Sequence, residues 1–309
     1  MPPPAKAQKI KRWSTLSAPA PAPGLLLSIL ALFALIAPNL CTAAPNALLP
    51  DDIRHSGVIT IATDAEYPPC ESLAADNRTV VGFDPDIWTA IGQRLGVRIV
   101  TVPTTFSGLI SGVGSGRYTL AMSCISDSVD REQRILFVDY AFATSAIYTL
   151  ASNTKITNDP LSLCGLNTAA EAGTDSVEGL NLMSAHCVKN RRRPISISQF
   201  PSADAMFSAL HANRVDFVLD DIAAAGPIHA RMPFGVRLVY SDLLPRRYIG
   251  MIVQKRSQKL ANALLASLKT IQSDGTYARI MQKWRLASLE LNDPGFNLAA
   301  QRPLPVPRP

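Results

Sequence analysis

Polar side chains follow an apolar run at one place in the first half of the chain. Residues 118–122 are mostly apolar, Ser123, Cys124 and Ser126 come next, and the cation Arg131 follows. This pattern predicts a buried strand that ends in a hydroxyl-rich turn before a helix, which is where α/β sheets bind ligands. Backbone N–H groups at a helix start favour anions, and a guanidinium can hold a carboxylate through two hydrogen bonds. These residues indicate a site for a small carboxylate, unless Arg131 belongs only to a solvated charged turn.

The composition is that of a globular protein. The chain has 309 residues, of which 47% are hydrophobic and 17% charged, so it is long enough for two domains. Four of its six excess positive charges lie before residue 13, and the remainder carries a net charge of +2. The sequence has no basic stripe with interleaved aromatic residues, which argues against nucleic-acid binding.

The first 44 residues have the features of a signal peptide. Basic residues precede an apolar stretch at 25–37, and small residues follow at 42–44. The apolar stretch is shorter than the ~20 residues that a membrane-spanning helix needs. We therefore expect export, with cleavage between Ala43 and Ala47, to the periplasm or to the outside of the cell. Cys41 could instead carry a lipid, but the residues before it match the lipoprotein pattern poorly.

Four cysteines remain after the predicted signal peptide, in a compartment that permits disulfides. Cys164 and Cys187 flank one predicted strand and helix and form the favoured pair, while Cys70 and Cys124 both follow strands. We expect two bridges, one in each domain, with the connectivity left open. None of the cysteines has the spacing of a metal site and no histidine clusters with them, so no metal is expected.

The rest of the chain alternates strands and helices. Strands predicted at 58–62, 97–102 and 118–122 are separated by amphipathic segments, which is the order of a parallel βαβ sheet. A second α/β unit begins near residue 152, and an apolar run at 248–253 is typical of a strand that returns to the first unit. Beyond Asn292 the sequence is rich in proline and has no periodicity, which predicts a disordered tail over 292–309.

A series of short motifs runs from about Gly57 to Arg285. They are Thr63-Asp64, Tyr67-Pro68-Pro69, Gly82-Phe83-Asp84-Pro85-Asp86, Phe106-Ser107-Gly108-Leu109, Ser126-Asp127-Ser128, Glu171-Ala172-Gly173-Thr174 and Asp274-Gly275-Thr276-Tyr277. In this order the chain resembles the extracellular solute-binding proteins of polar amino-acid ABC importers, bacterial family 3. The resemblance implies an α/β fold with two lobes, each a mostly parallel sheet flanked by helices, joined by a two-strand hinge. Lobe 1 would comprise 57–150 and 248–286, and lobe 2 would comprise 151–247.

The resemblance also implies roles for residues of the first lobe. Tyr67 and Phe106 would be aromatic walls around the ligand side chain, although the same residues could serve as core packing. Arg131 and Ser126 would bind the α-carboxylate of an amino acid. Asp64 would meet a distal positive charge on the ligand.

Further roles fall on the turn after the central strand and on the second lobe. Ser123 and Cys124 would meet the ligand through backbone or hydroxyl groups. Thr174 and Asp175 would close on the carboxylate, and Asp221 would take the α-ammonium, alone or while also capping a helix.

The acidic residues in this set bear on the charge of the ligand. Asp175 stands where relatives often have Thr or Ser, and an acid beside a carboxylate is unfavourable unless it meets a cation. With Asp64, Glu66 and Asp221, it favours a basic amino acid or related cationic amine.

The resemblance predicts a binding protein that is not an enzyme. It would be a monomer without cofactor that delivers its ligand to an ABC permease in the membrane. The alternative is a periplasmic dehydratase of the cyclohexadienyl or arogenate type on the same fold, with Glu171 or Glu66 as the acid. A sensor module is disfavoured, since no transmembrane helix follows the second lobe.

Overall fold

Apolar and amphipathic runs alternate along the sequence and form strands and helices in turn. The computed structural model describes residues 45–231 and 235–305. The predicted signal peptide, residues 1–44, lies outside the described residues. No helix of the described residues has the length and apolar composition needed to cross a membrane.

Strands and helices are numbered here in chain order within the described residues. The strands are β1 (Val58–Thr63), β2 (Glu66–Tyr67), β3 (Glu71–Leu73), β4 (Val80–Val81), β5 (Arg98–Pro103), β6 (Leu120–Ala121), β7 (Ile135–Ala143), β8 (Ser145–Leu150), β9 (Asn167–Glu171), β10 (Ser196–Phe200), β11 (Phe217–Asp221), β12 (Val236–Val239), β13 (Arg247–Gln254) and β14 (Glu290–Phe296). The α-helices are α1 (Asp51–Ser56), α2 (Phe83–Leu95), α3 (Phe106–Gly114), α4 (Val129–Glu132), α5 (Ser176–Lys189), α6 (Ala203–His211), α7 (Ala225–Arg231), α8 (Gln258–Ser273), α9 (Thr276–Lys283) and α10 (Leu298–Gln301). Short 3-10 helices lie at Pro45–Leu48, Pro160–Leu163, Ile222–Ala224 and Ala287–Leu289.

The first lobe is built on a six-stranded sheet in the order β14-β7-β13-β6-β1-β5. β1 pairs in parallel with β5 and β6, as the βαβ pattern predicted. Helices α2, α8 and α9 supply buried side chains such as Ile87, Leu264 and Tyr277 to its core. This packing supports β1 and β6, whose carboxyl ends carry the candidate site.

The second lobe is built on a five-stranded sheet in the order β10-β9-β11-β8-β12. β9 pairs in parallel with β10 and β11, whereas β8 runs antiparallel to β11 and β12. In the first lobe, β13 likewise runs antiparallel to β6 and β7. Both sheets are therefore mixed rather than mostly parallel, because the strands that cross between lobes add antiparallel pairs.

The chain crosses from the first lobe to the second earlier than the predicted lobe boundary between residues 150 and 151. β7 ends at Ala143, and β8 begins at Ser145 and already pairs with strands of the second sheet. The sequence did not reveal this change because both strands are almost wholly buried and read as one apolar run. The return crossing lies between β12 and Arg247, the first residue of β13, close to the predicted position.

The tail predicted to be disordered is ordered through residue 305 of the described chain. β14 pairs with β7, and α10 follows it. The amides of Leu298 and Ala299 donate to Asp139 and Asp127 at 2.9 and 3.0 Å. Sequence periodicity could not predict this docking, since its partners are carboxylates from a segment about 160 residues away along the chain. Residues 306–309 lie outside the described residues.

Both expected disulfides are present. Cys70 is bonded to Cys124 in the first lobe, and Cys164 is bonded to Cys187 in the second. The first bridge ties the segment before β3 to the turn after β6. It therefore fixes the turn that carries several of the predicted ligand-binding residues.

Gly82 lies directly before α2, where the fold leaves no room for a side chain. Its φ is +149°, and a Cβ at this position would lie 2.2 Å from the backbone oxygen of Cys70. Only glycine fits such a conformation without displacing the disulfide-bonded segment.

We expect Gly82→Ala to lower the free energy of unfolding by about 2 kcal/mol or more, because backbone must move to accept the new methyl group. Gly114→Ala, in the last turn of α3, is the matched control, since a Cβ there meets nothing within 4 Å. It should leave stability unchanged or raise it by up to about 1 kcal/mol. Urea denaturation of both variants measures the difference, and a wild-type midpoint for Gly82→Ala would contradict the expectation.

Candidate functional site: a cleft between the two lobes

Eight of the ten predicted ligand-binding residues line one cavity of about 40 Å³ between the lobes. The first lobe contributes Tyr67, Phe106, Ser123, Cys124 and Ser126. The second lobe contributes Thr174, Asp175 and Asp221. The two other predicted residues, Asp64 and Arg131, are buried beside lining residues rather than in the lining itself.

The turn after β6 is held in place by hydrogen bonds and a disulfide. Ser123 donates its hydroxyl to Glu71 and accepts the backbone N–H of Asp64 at 3.2 Å. The amide of Cys124 donates to Asp84 at 2.8 Å, and Cys124 adopts a left-handed φ of 44°. These bonds, with the Cys70 bridge, position the Ser123 hydroxyl and the Cys124 backbone at the cavity.

The acids under this turn are buried. Burial raises the pKa of Asp84 to about 7 and, together with the neighbouring Asp84, raises the pKa of Glu71 well above its ordinary value. Asp84 lies in the first turn of α2, which begins at Phe83, and it accepts from the Cys124 amide and the Tyr140 hydroxyl. Asp84 therefore supports the turn after β6.

Tyr67 reaches across the cleft. Its hydroxyl donates to Asp220 and accepts the backbone N–H of Asp221 at 3.3 Å. The partly exposed ring of Phe106, the first residue of α3, faces the same cavity. Both aromatic residues therefore line the cavity, and Tyr67 also links the lobes, while their role as walls around a ligand stays a prediction.

Arg131 joins the lobes from a buried position. Its guanidinium donates to the backbone oxygen of Ser126 at 2.8 Å and to that of Gly173, in the second lobe, at 2.7 Å. Only 7% of the residue is exposed. The predicted role of Arg131 as a partner of a ligand carboxylate stays a prediction, since both terminal nitrogens already donate to carbonyl groups.

Asp175 and Arg247 form an ion pair at the cavity. Arg247 also donates to the hydroxyl of Ser145 at 2.9 Å. Burial on its own would raise the pKa of Asp175, but Arg247 and Arg131 together lower it below its ordinary value. Asp175 is therefore a carboxylate that is held ionised by cations of the protein itself.

Three further acids of the second lobe line the cavity: Glu171, Asp220 and Asp221. Burial, followed by the nearby Asp64, raises the pKa of Glu171 to about 9. Burial likewise raises the pKa values of Asp220 and Asp221 to about 7. Asp221 also accepts the N–H of Ala223 at 2.9 Å, so it both caps a 3-10 helix and faces the cavity.

Asp64 lies near Glu171, whose pKa its charge raises. It is 9% exposed, and burial together with Glu66 and Asp204 raises its pKa to about 7. Within the described residues, Asp64 Oδ2, Glu171 Oε1 and Asp220 Oδ2 have no hydrogen-bond partner. Two buried carboxyl oxygens without a donor therefore belong to residues of the cavity lining, Glu171 and Asp220.

Sequence reasoning missed several lining residues. Asp220 adjoins the predicted Asp221, and its position at the end of the same strand could have indicated it. Arg247, at the predicted end of lobe 2, was not among the predicted site residues, although it lines the cavity. Glu171 was considered solely as a catalytic acid, although its position directly before the Gly173–Thr174 turn could have indicated it.

One group of possible metal ligands occurs among the described residues. A sulfur of Cys70, a sulfur of Cys124 and a carboxylate oxygen of Glu71 lie within 4.8 Å of one another. Both sulfurs belong to a disulfide, so Glu71 alone could offer a charged ligand atom. This chemistry does not favour a metal here.

Comparison with known proteins agrees with this architecture. The histidine-binding periplasmic protein of Salmonella typhimurium is 28% identical over 247 residues, which cover 78% of this chain and 90% of that protein. The structure of an ancestral arginine-binding protein bound to arginine matches with a TM-score of 0.67 and 25% identity, over 74% of this chain and 98% of that one.

A second solved structure shares the fold. It is an ancestral amino-acid-binding protein described as a precursor of cyclohexadienyl dehydratase, with a TM-score of 0.67 and 24% identity over 77% of this chain and 99% of that one. The family model of bacterial extracellular solute-binding proteins, family 3, matches residues 59–287. With its two α/β lobes and the cleft between them, this chain belongs to family 3 of the bacterial extracellular solute-binding proteins.

Proposed function

We propose that this protein is the extracytoplasmic binding component of an ABC importer for a basic amino acid or a related cationic amine. It is exported by its N-terminal segment, binds its ligand between the lobes as a monomer and delivers it to a membrane permease. The observation that carries the proposal is the set of buried carboxylates around one interlobe cavity. The relatives support it, because one is named for histidine binding and another was solved with arginine.

The charge of the lining supports a cationic ligand. Glu171, Asp175, Asp220 and Asp221 face the cavity, whereas Arg247 is the only lysine or arginine among the described lining residues. Arg247 is already paired with Asp175. A buried carboxyl group without a partner is costly, and a ligand cation would supply that partner.

Contacts between the lobes support closure around the ligand. Tyr67 donates to Asp220 and Arg131 donates to Gly173 across the cleft. A Cβ on Gly173 would lie 3.1 Å from Cα of Ser107, so the lobes approach closely at this point. A ligand favours this arrangement only by the difference in its affinity for the closed and open forms.

Glu171 supports a second candidate, a dehydratase on the same fold. Its pKa of about 9 keeps it protonated at neutral pH, as a general acid must be to protonate a leaving hydroxyl. The fold is also shared with a precursor of cyclohexadienyl dehydratase. Release of phenylpyruvate or phenylalanine from prephenate or arogenate by the purified protein would establish this candidate over the receptor.

We expect Asp220→Asn to bind cationic ligands at least tenfold more weakly than the wild type, while the unliganded variant melts at a higher temperature. The amide keeps an acceptor for Tyr67 but removes a buried charge whose second oxygen has no partner. A thermal-shift screen against the amino acids and related amines, followed by calorimetry, measures both effects.

The exposed Asp242 of the second lobe provides the matched control for that variant. Asp242→Asn should leave affinity and melting temperature unchanged, since surface substitutions have small effects. Equal cation affinity in Asp220→Asn and in the wild type would contradict the role given to Asp220.

We also expect the affinity for a cation to rise about tenfold or more between pH 6 and pH 8. The pKa values of Asp64, Asp220 and Asp221 lie near 7 in the free protein, and a bound cation favours their ionised forms. Binding should therefore release protons, which calorimetry in buffers of different ionisation enthalpy detects.

The same groups predict the opposite trend for the free protein. Their folded pKa values exceed the ordinary value of 3.8, so the folded state holds more protons than the unfolded state between about pH 4 and 7. Their contribution to stability is then lost as pH rises through this window.

For ligand binding, proton uptake when the cation binds, or an affinity that falls toward pH 8, would argue against ionised acids as the ligand partners.

A further inference from the structure

The carboxylate of Asp175 lies among the cationic groups of the cleft. It pairs with Arg247, and a hydrogen bond to Ser126 and the charge of Arg131 also favour its ionised form. The side chains of Asp175 and Arg247 are only 20% and 14% exposed. The protein thus provides its own carboxylate at this end of the cavity.

Asp175 pairs with Arg247 rather than capping the helix that follows it. Asp175 is the residue before α5, where an aspartate ordinarily accepts a backbone N–H of the first helical turn. Its side chain makes no such cap bond. The carboxylate instead accepts from Arg247, so it is engaged in the ion pair and not in capping α5.

The other guanidinium already has protein acceptors. Arg131 donates from both terminal nitrogens to the backbone oxygens of Ser126 and Gly173. A carboxylate on a ligand would compete with these carbonyl groups and with Asp175 for the two guanidinium groups, and it would meet the negative charge of Asp175.

A second, independent observation concerns the acids of the cavity wall and of the segment beside it. Glu171, Asp220 and Asp64 are 6%, 7% and 9% exposed, and one carboxyl oxygen of each has no hydrogen-bond partner among the described residues. Glu171 and Asp220 line the cavity directly. These oxygens can accept hydrogen bonds from a ligand, and a cationic ligand would also balance the charge of Asp64 and Asp220 when they ionise.

We propose that the ligand is an organic cation without an α-carboxylate, such as an alkyl diamine or a guanidino-amine, and that Asp175 supplies from the protein the carboxylate that an amino acid would bring. This inference rests on the proposed function and selects the amine over the amino acid. The apolar surfaces of Phe106, Met206 and Leu219 in the lining suit the alkyl stem of such a ligand.

Paired ligands that differ only in the carboxylate test this inference by calorimetry on the wild-type protein. Agmatine is arginine without its α-carboxylate, and cadaverine is lysine without its α-carboxylate. We expect at least one of these amines to bind tenfold or more tightly than its parent amino acid. Arginine and lysine that bind as tightly as their amines, or more tightly, would overturn the inference and leave the proposed receptor function standing.

Asp175→Thr tests the residue itself. Removing the carboxylate should leave Arg247 free for a ligand, so affinity for arginine or lysine should rise about tenfold or more while affinity for the amine does not rise. Asp242→Thr, the same change at an exposed site of the second lobe, should keep the wild-type preference. An Asp175→Thr protein that folds, as judged by circular dichroism, and keeps the wild-type preference would overturn the role of Asp175.

The comparison in wild type does not depend on the folding of any variant. If none of the four cations binds and a neutral or acidic amino acid does, both this inference and the cationic-ligand proposal fail. Binding of no amino acid or amine would reject the receptor function itself.

Discussion

Buried carboxylates at the meeting point of two lobes are the constraint on which the rest of this structure depends. Removing a carboxylate from water is unfavourable unless it gains a cation or hydrogen-bond donors. Asp175 has gained Arg247, whereas Glu171 and Asp220 each keep an oxygen without a partner among the described residues. Such groups lower the stability of a protein, and a ligand that supplies donors or a cation to the two that line the cavity explains why they are kept there.

The first lobe holds its part of the site through hydrogen bonds and a disulfide. The Ser123–Cys124 turn is fixed by Glu71, by Asp84 and by the disulfide to Cys70. A rigid wall lets a ligand gain affinity without ordering the protein, because fewer side chains lose freedom on binding. The second lobe, joined to the first by the two crossings, then brings its acids to a wall that is already in place.

Much of the fold and most of the site could be predicted because they follow from local patterns and short motifs. The strand-to-turn pattern indicated Ser123 and Cys124, and the family resemblance indicated Asp175 and Asp221, all of which line the cavity. Arg247 could not be found this way, since its role depends on the lobe crossing and on a pair with a residue 72 positions away. The docking of α10 was missed for the same reason: backbone donors carry no signal in the sequence, and their acceptors lie on distant segments.

Asp175 also illustrates why ligand chemistry is harder to predict than fold. An aspartate is compatible with a helix start, so its presence before α5 leaves the backbone and the lobe architecture unchanged. Its charge, however, acts on every group nearby: it pairs with Arg247 and opposes ionisation of Asp221. With a neutral residue at this position, Arg247 would be open to an anionic group of a ligand; with Asp175 it is already paired. A single acid can therefore change which charge the cleft favours in its ligand, while the motifs that define the family remain intact.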